Sequence, residues 1–315
     1  MKAAVLHALG ELPRFEDVPE PVPGEGQEIV HVTACPLTNL DRVLAAGTHF
    51  ASRAELPAVC GTLAVGRLAD GLRVLFRSPG GTMAERAVTR REWCTPIPDG
   101  LDDEPAAAIQ NPGVSTWAAL EWRAKLRAGE RVLVLGATGV AGRIAVQLAE
   151  RLGASRVVGA GRNPRVLASL RELGADATIR LDQPEDALRA AFRAEGGFDV
   201  VVDYLWGRPT EVFISTLGSS DMELRFSRTR LIQVGTMAGA QVALPAEILR
   251  SSGLEVVGFG TGNAPPAADL ARLLGRVLDL VAGGDLRIDV NRVPLAQVQE
   301  VWNLDQKGTR TVLIP

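Results

Sequence analysis

At 315 residues the chain is about two domains long, at roughly 150 residues each. Hydrophobic residues at 46% and charged ones at 23% describe a globular protein, and a net charge of -3 leaves no basic surplus for phosphate contacts, which excludes nucleic acid as the main partner. No apolar run reaches the ~18 residues that cross a bilayer, and the N-terminal MKAAVLHALGELPRF turns acidic too early for a signal peptide, so the expectation is a cytoplasmic protein without a membrane partner.

The first ~110 residues read as short strands at 3–6, 28–33, 71–76 and 83–88, separated by turn signals such as PEPVPGEG and RSPGG. Cys35, Cys60 and Cys94 are odd in number and widely spaced, a pattern of neither a disulfide framework nor a metal cluster, and are read as core residues. From Arg131 the texture changes. RVLVLG, RVVGAG, ATIRL, FDVVVD, RLIQVG and LEVVGFG form six apolar runs that read as parallel strands. IAVQLAERLG, RVLASLRELG and EDALRAAFRAEG lie between them with helical spacing and stop at glycines. A helix over 267–282 leads into a last strand-like stretch, TRTVLIP. The layout is α/β: a β-rich unit, an inserted doubly wound parallel sheet of the Rossmann kind, and a C-terminal return to the first unit.

The stretch VLVLGATGVAGRIAVQLAERLG places Gly136, Gly139 and Gly142, with Thr138 and Val140 between them, in a turn from a buried strand into an amphipathic helix. Such glycines permit a tight turn and close approach of a pyrophosphate, while the helix start offers N–H donors and the positive end of its dipole. This context points to a dinucleotide. The second strand ends at Gly161 and Arg162, the latter 20 residues beyond Gly142. An acidic residue there would hold the ribose hydroxyl of NAD; glycine followed by arginine suits the 2′-phosphate of NADP, with Asn163 and Arg165 as helpers. The expected cofactor is NADP, bound as NADPH.

With these motifs in place, the chain resembles the medium-chain dehydrogenase/reductase superfamily, in its zinc-independent quinone oxidoreductase branch. The resemblance also rests on MKAAVLHALG, GTLAVGRLADGLRV, GGTMAERAV, PIPDGLDDEPAAAIQNPGVSTWAAL, LRAGERVLVLGATGVAG and GTRTVLIP. It implies a GroES-like catalytic domain over 1–110 and 263–315, and a Rossmann NADPH-binding domain over 111–262. It puts Thr116, Gly235, Thr236, Phe259 and Gly260 near the nicotinamide, in a cleft between the domains. The zinc ligands of the superfamily's alcohol dehydrogenases fall on Thr38, on Thr62 within Gly61-Thr62-Leu63, and on Pro112, none of which supplies thiolate or imidazole, so no metal is expected.

Without a metal, the implied chemistry is hydride delivery to an already electrophilic acceptor, a quinone or α,β-unsaturated carbonyl. Two alternatives stand beside it: reduction of an enoyl thioester or other alkene, and a non-catalytic NADPH-binding redox sensor. Thr38 or Asn39, in LTNLD, either touches the acceptor or caps a helix. Tyr204, at the end of the fourth strand, either donates a proton or packs at the cofactor face or the domain junction. Asn111 belongs to a hinge-like stretch entering the cofactor domain, and His49 to the loop GTHFASRAELP. The resemblance also implies a homodimer paired through Leu254–Gly258.

Overall fold

The structure, a computed structural model, describes residues 1–49, 51–52, 55–218, 228–304 and 308–315, so Phe50, Arg53 and Ala54 of the GTHFASRAELP loop lie outside the described residues. The chain divides into two compact units, Met1–Asn111 with Leu274–Pro315, and Pro112–Leu273.

The first unit is built from short strands: β1 (Lys2–Leu6), β2 (Arg14–Asp17), β3 (Gln27–Pro36), β4 (Ala58–Val59), β5 (Leu63–Leu68), β6 (Arg73–Arg77), β7 (Arg86–Arg90) and β8 (Cys94–Pro96), with helix α1 (Asn39–Ala45) after β3. The expected strand at 83–88 is divided between two sheets. Met83 O accepts from Ala4 N and Glu85 N donates to Lys2 O, tying 83–85 to β1, whereas 86–90 pair with β3. Gly66 in β5 is required by packing, because a Cβ there would strike the His31 carbonyl on β3. Val30, Val74, Phe76 and Met83 are fully buried in this unit's core.

Helix α2 (Asp103–Trp117) runs without interruption through Asn111 and Pro112 and continues as a π-helix over Ala118–Arg123. Asn111, in the stretch read as hinge-like, is helical and half-buried, and the division between the two units falls directly after it.

The second unit alternates strand and helix: β9 (Arg131–Leu135), α3 (Val140–Arg151), β10 (Arg156–Gly161), α4 (Pro164–Ser169), β11 (Ala177–Arg180), α5 (Glu185–Ala194), β12 (Val200–Asp203), α6 (Arg208–Leu217), β13 (Arg228–Gln233), α7 (Ala246–Ser251) and β14 (Gly253–Gly258). The six strands form one parallel sheet in the order β11-β10-β9-β12-β13-β14. The chain leaves β9 toward β10 on one side and reaches β12 on the other, which makes the C-terminal end of β9 a topological switch point. The helix expected over RVLASLRELG tightens to a 3-10 turn at Leu170–Leu173 and ends on Gly174, whose φ of 98° suits the left-handed cap. Few aromatics serve this core, and they are concentrated: Phe213 packs against Phe192 and Phe198 with ring centroids 5.6 and 6.2 Å apart.

After α8 (Ala267–Ala282), the chain returns through β15 (Val290–Pro294) and β16 (Arg310–Ile314). β16 pairs with β3 and completes a seven-stranded sheet in the first unit. Among the described residues, no helix is long and apolar enough to cross a membrane.

Candidate active site

The turn from β9 into α3 is built by three glycines that do different work. Gly136 takes φ 91°, and its N–H donates to Ala160 O on β10 at 2.9 Å. Gly142 lies so close to the turn that a Cβ would sit 2.6 Å from Ala137 Cα and strike Gly136 O. Gly139 is different. Its φ of -83° is open to any residue, and a Cβ would meet only Gly136 O at 3.4 Å. Nothing internal requires glycine there, so the exposed space over this N-cap is what its missing side chain leaves. No side chain caps α3, whose first-turn N–H groups and dipole form a cradle for an anion. Thr138 lies against Gly161, where a Cβ would come 2.8 Å from the threonine oxygen.

At the end of β10, Arg162 is exposed and makes no hydrogen bond or ion pair among the described residues; its charge acts on Asp182. Asp182 is itself paired with Arg180 at 2.8 Å. Asn163 caps α4, its side-chain oxygen accepting from Arg165 N and Val166 N at 3.1 and 3.4 Å. The arrangement fits a dinucleotide with a 2′-phosphate: an open glycine cradle, then an uncommitted guanidinium past the second strand.

On the other side of β9, the ends of β12, β13 and β14 are laced together. Asp203 is buried; its carboxylate accepts from Leu205 N, Trp206 N and Thr210 Oγ1 at 2.8, 2.9 and 2.6 Å, and its carbonyl accepts from Val234 N and Gly235 N. Burial raises its pKa against the pull of these donors. Tyr204 is 9% exposed and Thr116, on α2, is fully buried; their hydroxyls lie 2.7 Å apart. Burial pushes the Tyr204 phenol up, so it stays protonated. Gln233 holds both neighbouring loops, donating to Gly235 O at 2.9 Å and accepting from Phe259 N at 2.8 Å. The π-helix braces the same edge: Arg123 donates to Gly258 O at 2.9 Å and Trp122 meets Phe259 edge-on at 6.4 Å. Thr236 and Gly260 stand exposed beside these anchors.

In the first unit, Thr38 caps α1. Its hydroxyl donates to Asp41 Oδ2 at 2.5 Å and accepts from Asp41 N at 3.2 Å, while Thr38 N donates to the same carboxylate at 2.9 Å. Thr62 donates to Asp41 Oδ1 at 3.3 Å. Burial raises the Asp41 pKa despite these donors and the charge of Arg310. The same burial lowers Arg310 to about 10, and Arg310 donates to Leu37 O at 3.0 Å. Thr38 and Thr62, at the zinc-ligand positions of the resemblance, thus serve a carboxylate. Among the described residues no group of three His, Cys, Asp or Glu is placed to hold a metal ion, and this donor set does not fit zinc. Asn39 is exposed on the first turn of α1, accepting from Arg42 at 3.3 Å. His49 is half-buried and its ring accepts from Ala51 N at 3.1 Å.

A cavity of about 710 Å³ in this unit is lined by Arg67, Arg73, Asp103, Glu104 and Arg292, among others, and contains none of the residues singled out from the sequence. Two of its arginines are engaged by carboxylates of the same lining, Arg73 by Asp103 at 2.5 Å and Arg292 by Glu104 at 2.7 Å. Asp203, Thr210 and Arg310 were not legible as site-forming residues. An aspartate closing an apolar strand, with a threonine seven residues on, was the available signal for the first two; nothing local marks Arg310.

A zinc-binding dehydrogenase family profile matches residues 141–278. The chain is 31% identical over 227 residues to a probable NADPH-dependent quinone reductase, tdiC, of Emericella nidulans, covering 68% of this chain and 62% of that protein. It is 30% identical over 295 residues to the spectinabilin polyketide synthase system protein NorB of Streptomyces orinoci, covering 89% of this chain and 13% of that protein. The chain thus spans less than two thirds of either relative. Among solved structures, the quinone oxidoreductase of Thermus thermophilus, also solved with NADPH, superposes with a TM-score of 0.82 at 29% identity over the full length of both chains.

Proposed function

Because the chain belongs to the medium-chain dehydrogenase/reductase superfamily, in its quinone oxidoreductase branch, we propose that it is an NADPH-dependent, zinc-independent oxidoreductase that delivers hydride to a quinone or α,β-unsaturated carbonyl. The observation that carries this reading is the open cradle at Gly139 followed by the exposed Arg162, which has no ion pair among the described residues. The quinone reductase relative and the NADPH-bound quinone oxidoreductase support it.

NADPH, when bound, supplies the hydride. The α3 N–H groups and dipole neutralise the pyrophosphate across Gly136, Thr138, Gly139, Val140 and Gly142, and Arg162 takes the 2′-phosphate with Asn163 shaping the turn. Gly235, Thr236, Phe259 and Gly260 line the nicotinamide end with Thr116. On the acceptor side the resemblance offers Thr38 and Asn39; the Thr38 proton is already held by Asp41, so under this reading the hydrogen bond to the acceptor oxygen falls to Asn39 and the proton that follows hydride transfer to solvent. Among the described residues no group of three His, Cys, Asp or Glu is placed for the superfamily's zinc, and no step passes through it.

Reduction of a conjugated alkene on a thioester is the second reading, supported by the similarity to the polyketide synthase system protein along 89% of this chain. The protein functions as a homodimer paired through the edge strand β14, whose Val256 is 37% exposed. The experiment is oxidation of NADPH and NADH by metal-free protein with matched panels of quinones, enones, enoyl thioesters and simple aldehydes. Chelator-insensitive turnover of quinones or enones with NADPH preferred supports the proposal; faster turnover of enoyl thioesters selects the second reading. NADPH binding with no acceptor reduced overturns both in favour of a redox sensor.

A further inference from the structure

The Thr116 and Tyr204 hydroxyls pose a question of proton count. Each carries one proton. Their mutual bond at 2.7 Å uses one of the two, whichever is the donor. Neither hydroxyl has a second partner among the described residues, although Thr116 is fully buried and Tyr204 is 9% exposed. A buried donor without an acceptor is unfavourable, and native structures rarely keep one without a purpose.

Tyr204 directly follows β12, so the pair lies at the C-terminal edge of the parallel sheet. Arg162 directly follows β10, on one side of β9, and the sheet order puts β12, β13 and β14 on the other. A dinucleotide whose pyrophosphate lies across the Gly136 turn therefore extends its nicotinamide half over the ends of these three strands. Tyr204 is held there rigidly. Its N–H donates to Leu135 O at 3.1 Å and its carbonyl accepts from Met237 N at 3.3 Å. Gly136 packs so near that a Cβ would lie 3.3 Å from the Tyr204 Cβ, and Gly235 so near that a Cβ would lie 2.6 Å from the Tyr204 carbonyl oxygen.

Resting on the NADPH reading above, we propose that the Thr116–Tyr204 hydroxyl pair is a positioning element for the nicotinamide end, presenting its second proton to the carboxamide oxygen of the bound dinucleotide. The pair acts as one donor of fixed direction, because the tyrosine backbone is anchored on both sides and the threonine belongs to a buried helix. It orients the ring and takes no part in proton transfer.

The test measures binding of two probes by calorimetry: NADPH, and adenosine 2′,5′-bisphosphate, which shares the adenine and 2′-phosphate but has no nicotinamide. The proteins are wild type, Tyr204→Phe, Thr116→Val and Thr116→Ser, each with its unfolding midpoint recorded. The expected result is about three- to tenfold weaker NADPH binding in Tyr204→Phe and Thr116→Val, unchanged binding of the bisphosphate, and NADPH affinity retained in Thr116→Ser. NADPH affinities unchanged in the first two variants, or falling by the same factor for both probes, overturn the positioning role while leaving the NADPH reading in place. Wild type that takes up neither probe overturns that reading and this inference with it.

Discussion

Thr38 and Asp41 cap one another: the threonine hydroxyl donates to the aspartate carboxylate at 2.5 Å and receives the Asp41 N–H at 3.2 Å. By the resemblance, Thr38 stands where zinc-dependent members of the superfamily begin their ligand set; here it caps a helix. Thr38→Val leaves the carboxylate short of a buried donor and the first turn without its cap. We expect a loss of about 1–2 kcal/mol in urea unfolding, with Thr38→Ser within about 0.5 kcal/mol of wild type. Equal stability of the valine variant would remove this account of the threonine.

Gly139 and Gly142 separate ligand binding from folding. Gly142→Ala drives a Cβ into the Gly136 backbone, and the expected outcome is a destabilisation above about 2 kcal/mol with loss of NADPH binding. Gly139→Ala meets no such obstacle at φ -83°, so its unfolding midpoint stays near wild type while NADPH binding weakens. Calorimetric titration beside thermal unfolding checks both.

Arg162→Ala removes the guanidinium assigned to the 2′-phosphate. A charge-assisted hydrogen bond is worth about 1.5–3 kcal/mol, so NADPH affinity is expected to fall about ten- to hundredfold while NADH affinity changes little. Equal losses for the two cofactors would contradict the assignment.

Asp203 provides a pH test. Its pKa in the folded chain lies above the ordinary 3.8 because burial outweighs its donors, so the folded chain retains a proton that the unfolded chain has released. Stability therefore declines as pH rises from 3.8 through the folded value and is level above it. Asp203→Asn keeps the acceptor for Leu205 N and Trp206 N but has no such titration. Its stability relative to wild type is expected to rise over that window and then hold constant. Urea unfolding of both proteins at a series of pH values measures it; a constant difference would show that Asp203 is not shifted.

The proposed dimer makes its own demand on β14. Val256 is exposed on this edge strand, and Val256→Lys places a charge where strands from two copies would pair. Sedimentation velocity is expected to show wild-type dimers and variant monomers with the far-ultraviolet spectrum unchanged. An unaltered dimer would place the interface elsewhere.

What the sequence determined by itself is what depends on neighbours along the chain. The six apolar runs from Arg131 onward became the six parallel strands, and Gly136 to Gly142 marked a strand-to-helix turn because both its steric needs and its helix are local. The helix over 267–282 was legible in its spacing alone. Tertiary structure decided the rest, because it rests on registers and on groups far apart in sequence. Residues 83–90 look like one strand, yet β1 and β3 compete for their backbone and split them. The stretch entering the second unit reads as hinge-like at Asn111, and only the fold shows a helix running through Asn111 and Pro112. Thr116 meets Tyr204 across 88 residues, and Thr62 reaches Asp41 across 21. Such contacts follow from which sheet edge a helix packs against, a choice made by burial of whole faces and not by any short run of residues.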